Sequence, residues 1–188
     1  MKTEWIVFAG LAAVSGYVIL AFNALVRARN LVREGWSGVD VQLRRRADLI
    51  PNLVQTVKAY ASHEHNVFVD IVARRNAAVT TVATAEKAVA EQALQGSLGR
   101  LIAVAEAYPA LKADQNFLKL QEQLSEIEEQ LQMARRYFNG TVRDFNIRIQ
   151  SFPDLLLARA FGYREEHFFQ ADAASAAVPV VNLQGAPS

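Results

Sequence analysis

WIVFAGLAAVSGYVILAFNALV, Trp5 to Val26, contains no acidic or basic side chain. Coiled as a helix at about 1.5 Å per residue it is roughly 33 Å long, enough to cross a hydrocarbon core of about 30 Å. The stretch is expected to be a transmembrane helix over 5–26, with 1–4 as a short extracytoplasmic N-terminus. A cleaved signal peptide would need a positive n-region, a shorter apolar core and a small-x-small cleavage site. Lys2 stands beside Glu4, the apolar run is too long, and no such site precedes the arginines. Arg27, Arg29 and Arg33 follow the span while Lys2 alone precedes it, so the remainder of the chain is expected in the cytoplasm. Ala9 with Ala13, and Ala12 with Gly16, have the small-xxx-small spacing that lets helices approach closely in lipid. Ala12 and Gly16 are therefore candidate oligomer contacts, although small residues are common in spans generally.

Of the 188 residues, roughly 145 remain after the span and tail are set aside, the size of one domain. An apolar fraction of 52% supports a packed core. The net charge of +1 gives no global field for nucleic acid, and no nucleic-acid partner is expected. The chain has no cysteine, which removes disulfides, thiolate nucleophiles and cysteine-based metal sites.

Beyond the span, apolar residues keep helical spacing through Val32, Trp36, Val39, Leu43, Ala47, Ile50, Val54 or Leu53, Val57 and Ala61. No turn signal separates this stripe from the span, so one helix is expected to continue from membrane to domain. Gly35 and Gly38 weaken it by about 1 kcal/mol each relative to Ala. Pro51 should kink it; the alternative is a fresh helix capped by Asp48. Ser62 to Asn66 is a polar reversal, followed by a second helix using Val67, Phe68, Ile71, Val72 and Val79. A β-branched run at 79–82 ends it, and Thr84 is expected to cap a third helix that reaches about Tyr108 and is closed by Pro109. Gly96 and Gly99 inside that helix suggest close approach of a neighbour. A fourth helix from Asp114–Asn116 carries the longest stripe, Phe117 to Ile149. Asp154–Phe161 forms two further turns stopped by Gly162, and the tail over 170–188 lacks periodicity and is expected to be disordered.

The stretch VQLRRRADLIPNLV at 41–54, followed by Lys58-Ala59-Tyr60-Ala61-Ser62-His63-Glu64, resembles the LemA family of bacterial membrane proteins. The resemblance continues through 105–112 (AEAYPALK), Asn116-Phe117, Gln121 to Leu124, Ala134-Arg135, Tyr137 to Asn139, Val142 to Asn146, Phe152-Pro153, Phe161-Gly162 and Phe168-Phe169. It implies a single-pass anchor in the bacterial cytoplasmic (inner) membrane and a cytoplasmic LemA-like bundle over 27–169. The expected fold is all-α, an N-terminal transmembrane helix continuing into an antiparallel four-helix bundle. The resemblance also implies no established catalytic activity and, through members in magnetic bacteria, membrane organisation as a family theme.

Chemistry-bearing patterns are sparse. His63-Glu64-His65 lacks the second histidine of H-E-x-x-H, and a His-x-His pair does not share a helix face, so no metal is expected. Glu122, Glu126 and Glu129 share a face without the Glu-x-x-His partners of a di-iron bundle and are expected to be solvated. No catalytic residue or cofactor is expected. Arg44, Arg45 and Arg46 lie roughly 28 Å beyond the span along a straight helix, far outside a Debye length of about 8 Å, so ion pairing within the bundle is favoured over lipid contact. With Trp36 they are the candidate contacts for a partner protein or anionic ligand. Leu156, Phe161, Phe168 and Phe169 either cap one end of the bundle or touch the bilayer or a second subunit. Asn23, Asn30 and Asn146 are candidates for specifying register or oligomer contacts, as polar residues in a helical seam do. The expected function is a self-associating scaffold that organises membrane or envelope components, with other membrane proteins as partners. The alternative is a tethered sensor or binding module.

Overall fold

The computed structural model describes residues 2–169; the expected disordered tail lies outside the described residues. Helices α1 (Lys2–Tyr60), α2 (His65–Thr80), α3 (Thr84–Glu106), α4 (Pro109–Lys112), α5 (Gln115–Gln150) and α6 (Asp154–Ala160) account for most of them, and no strand occurs among the described residues. The all-α expectation holds.

α1 runs unbroken through the expected boundary at Val26 and through Pro51. Its buried residues include Leu25, Val32, Val39, Arg46 and Leu53, each seven positions after the last, so one heptad seam faces the core from Leu25 onward. The ring of Pro51 lies on the solvent side. A proline at this position removes the donor that would satisfy the carbonyl of Ala47, four residues earlier. Arg75 of α2 replaces it, donating from Nε to Ala47 O at 2.8 Å. The chain therefore does not reverse at Asp48, whose side chain is exposed.

The core has two storeys. In the distal one Ile50, Leu53 and Val57 of α1 pack with Phe68 and Ile71 of α2, Leu94, Leu98 and Leu101 of α3, Leu111 of α4 and Phe117 of α5. Nearer the apolar end, Leu25, Val32, Val39 and Leu43 pack with Leu131, Phe138, Val142, Phe145 and Ile149 of α5. Lengths explain the division: α5 is about 54 Å long, while α2 and α3 are about 24 and 35 Å and cannot flank all of it. In the proximal storey α3 contributes Ala88 at its first turns, and the rest of their place is taken by α6 and the segment 163–169, through Ala158 and Phe169.

Several boundaries differ from expectation. Thr84 is the first helical residue of α3; the N-cap is Ala83, without a side-chain bond. Pro109 does not only end α3 but opens α4 at its first turn, where its missing N–H costs nothing. Asp114 caps α5 by accepting from the N–H groups of Asn116 and Phe117, both at 2.9 Å. A Cβ at Gly96 or Gly99 would meet nothing within 4 Å; the close approach is at Gly35, where it would meet Phe138 Cα at 3.0 Å. α6 ends as a Schellman motif: Gly162 (φ 71°) donates to Arg159 O at 3.2 Å and Tyr163 to Ala158 O at 2.9 Å.

Candidate functional site

The candidate arginines separate. Arg46 occupies a heptad core position, is fully buried, and is held by residues of α3 and α5. Its Nη1 donates to Glu128 Oε1 at 2.8 Å and Gln95 Oε1 at 3.1 Å, and its Nη2 pairs with the Glu91 carboxylate. Burial alone would lower the Arg46 pKa, but the charges of Glu128 and Glu91 outweigh it and raise the pKa. Arg46 is thus unavailable to a partner or ligand, because its guanidinium is spent on joining three helices. Arg44 points outward and pairs with Asp40 at 2.8 Å; Asp40 also takes Lys87 Nζ of α3 at 2.8 Å. Arg45 is exposed, with Gln42 Oε1 at 3.3 Å. A cleft of about 310 Å³ beside them is lined by Arg44, Asp48, Arg75, Lys87 and Glu91, so its cations already have carboxylate neighbours.

Trp36 lies elsewhere. Its ring packs against Phe138 at 5.5 Å and Phe169 at 5.6 Å, in a cluster completed by the Arg135 guanidinium, 5.1 Å from the Phe169 ring centroid. Phe169 is 1% exposed and a core side chain of the proximal storey, so at this residue the reading as membrane or subunit contact is corrected in favour of the alternative, packing on the bundle. Two asparagines of α5 hold the segment in which it sits. Asn146 Nδ2 donates to Glu166 O at 2.9 Å and its Oδ1 accepts from Glu166 N at 2.9 Å. Asn139 repeats the pair with Phe169, at 3.2 and 2.9 Å. Seven helical residues rise about 10.5 Å and three extended residues about 10 Å, so two turns of α5 match the step from Glu166 to Phe169. Of the other two asparagines, Asn23 and Asn30 are exposed on α1 and lie outside the core of the domain.

Nearer the N-terminus of α1, α6 lies against its apolar stretch. Tyr17 OH donates to Asp154 Oδ1 at 2.8 Å, Arg148 Nε donates to Asp154 Oδ2 at 2.8 Å, and the Phe22 and Phe161 rings are 4.9 Å apart. Ala21 and Leu25 are buried, so packing of the domain begins inside the expected span. Leu156 (60%), Phe161 (56%) and Phe168 (42%) stay exposed, as does Ala12, while Gly16 is half-buried. Arg27 and Arg148 border a groove of about 350 Å³ along α1 with Leu20, Asn23, Ala24, Ala28 and Leu31.

Sequence reasoning missed Lys87 and Glu91, both buried. The signal was present: Lys87, Glu91, Leu94, Leu98, Leu101 and Ala105 are spaced by four and three, placing two charges on the core stripe of α3. Among the described residues no group of three or more His, Cys, Asp or Glu side chains is arranged to hold a metal ion.

These features define an α-helical, membrane-associated protein whose first helix carries both a strongly apolar end (mean hydropathy 2.1 in its most apolar window) and the seam of the folded domain. The LemA family profile matches residues 35–183, and the chain belongs to that family. It is similar to magnetosome proteins MamQ 2 and MamQ 1 of Paramagnetospirillum magneticum AMB-1, each 25% identical over 179 residues, covering 81% of this chain and 66% of theirs. It is also similar to magnetosome protein MamQ of Magnetospirillum gryphiswaldense MSR-1, at 24% identity over 178 residues, covering 81% of this chain and 65% of that one. The chain thus spans slightly less than two thirds of the length of these curated relatives.

Proposed function

We propose that this protein is a single-pass scaffold of the bacterial cytoplasmic membrane, with its folded domain in the cytoplasm, that self-associates and organises membrane or envelope components without catalysing a reaction. The observation that carries the proposal is α1 itself. One unbroken helix of 59 residues makes the apolar segment and the core seam a single stiff element, so contacts between copies in the membrane fix the spacing of their domains. Arg27, Arg29 and Arg33 on the domain side supply the orientation. Similarity to proteins named for the magnetosome supports a role in organising membrane. Ala12 and Gly16, where added Cβ atoms meet nothing at Gly16 within 4 Å, are the contacts proposed for self-association.

The test is the mass, by light scattering, of the full chain extracted in mild detergent, beside an Ala12→Leu/Gly16→Leu variant. A discrete assembly that the variant breaks down supports the scaffold; monomers in both samples refute it. A second reading, a tethered module recognising an anionic ligand or partner protein, rests on Arg45, which is exposed and, among the described residues, forms no ion pair. On that reading Arg45→Glu abolishes partner recovery while leaving assembly unchanged.

A further inference from the structure

A length mismatch separates the expected span from the structure. The domain packs on α1 from Tyr17 onward, through Asp154, Phe161 and the burial of Ala21 and Leu25. The apolar helix free of the domain is therefore Trp5–Gly16, about 18 Å, or at most Trp5–Leu20, about 24 Å. Both fall short of a hydrocarbon core of about 30 Å. Measured from Trp5, that thickness ends near Ala24, beyond the level at which α6 meets α1. Either the bilayer thins by the difference or the base of the domain enters it.

The chemistry of the base decides between these. Phe152 is 80% exposed, Leu156 60%, Phe161 56% and Ile147 55%, an apolar rim at the turn between α5 and α6. Between Phe145 and Gly162 the only acidic side chain is Asp154, and both its oxygens accept, from Tyr17 and Arg148. A charge satisfied in this way is the form in which ionisable groups are tolerated at membrane depth. Arg27 falls just beyond the end of the hydrocarbon, at headgroup level. On the membrane side of Arg27, the groove it shares with Arg148 has an apolar wall of Leu20 and Ala24 that suits an acyl chain.

We propose that the α5–α6 corner, residues 147–161, is a foot immersed in the cytoplasmic interface of the bilayer, with an acidic phospholipid headgroup held between Arg27 and Arg148 beside α1. The proposal rests on the reading of α1 as a membrane span. It adds a second lipid contact to the anchor and fixes the height and tilt of the domain over the bilayer.

Because the chain has no cysteine, single labels are clean. Nitroxides are placed at Leu11→Cys in the span, at Leu156→Cys and separately Phe152→Cys in the foot, and at Leu118→Cys at the distal end of α5. The full chain is reconstituted in phosphatidylcholine vesicles with phosphatidylglycerol, and collisions with oxygen and with a water-soluble nickel chelate are compared. Labels at 11, 152 and 156 meet oxygen in preference to nickel, and the label at 118 the reverse. A water-exposed label at 152 and 156 with a lipid-exposed label at 11 overturns the foot and leaves the anchor standing. A water-exposed label at 11 removes the span reading, and the foot with it. Labels at 152 and 156 shielded from both reagents place a second copy on the corner and also overturn the proposal. In detergent, Arg27→Gln retains about fivefold less phosphatidylglycerol than the unaltered chain, the loss of one surface cation; equal retention overturns the headgroup site.

Discussion

Replacing Arg46 by methionine removes a cation from a register whose other buried residues on α1 (Leu25, Val32, Val39, Leu53) are apolar. The seam itself tolerates the change, since Met matches the arginine stem in length and adapts to irregular gaps. The cost falls on Glu91, 3% exposed, whose carboxylate then keeps its burial and loses its partner. Glu128, with 27% of its side chain accessible, recovers water and suffers less. Breaking a buried pair from one side costs about 3–5 kcal/mol. In a chain of this size that lowers the midpoint of thermal unfolding by on the order of 10 °C. The double variant Arg46→Met/Glu91→Leu removes both desolvated charges, and such replacements are neutral or stabilising by about 1–4 kcal/mol. Melting followed by helical circular dichroism in detergent, on both singles and the double, gives the coupling directly. A single Arg46→Met variant that melts with the unaltered protein, or a double that melts lower than both singles, would refute the assignment of Arg46 as a core ion pair.

Arg75→Met leaves the Ala47 carbonyl without its donor and should cost about 1–3 kcal/mol, whereas in a Pro51→Ala background, where the backbone N–H returns, the same change should cost little; equal costs in both backgrounds dispose of the idea. Gly35→Val, whose branched side chain starts 3.0 Å from Phe138 Cα, should destabilise by about 1–3 kcal/mol, while Gly38→Ala, with open space, should stabilise by up to about 1 kcal/mol. Asn139→Ala and Asn146→Ala each remove two bonds to the segment 163–169, and amide exchange at Glu166 and Phe169 should accelerate with the distal storey unaffected. The pKa of Asp114 is held below the usual carboxylate range, first by the Phe117 N–H, and that of Asp70, first by the Ser97 hydroxyl. Asp40, where burial pushes the other way, is brought down by Lys87 and Arg44. Depressed folded-state values stabilise the fold above the unfolded pKa of about 3.9, and that contribution is lost as pH falls through the folded values. The melting temperature should therefore hold from neutrality to about pH 5 and drop below about pH 4; a chain that gains stability on acidification contradicts these pairings.

Helix existence was legible almost throughout, because periodic burial needs only one chain. The α5 stripe from Phe117 to Ile149 and the Gly162 stop are local features and stand where expected, while the reversal read over Ser62–Asn66 ends two residues sooner, at Glu64. Expectations failed where two elements meet. Gly35, Gly96 and Gly99 look alike in the sequence, and only the position of α5 makes Gly35 the crossing point. Arg44, Arg45 and Arg46 are chemically equivalent until the heptad register puts one in the core and two outside.

The sequence by itself determined an all-α membrane-associated chain, the unbroken passage from apolar stretch to domain, and membership of the LemA family, because hydrophobic period, length and motif order are properties of one strand of residues. Only the tertiary structure decided that Arg75 repairs the backbone at Pro51 and that Asn139 and Asn146 fasten the segment carrying Phe169. It alone decided that α6 packs beside Tyr17, inside the stretch read as the span. Each of those pairings depends on distances between residues far apart in sequence, set by how helices of unequal length share one core.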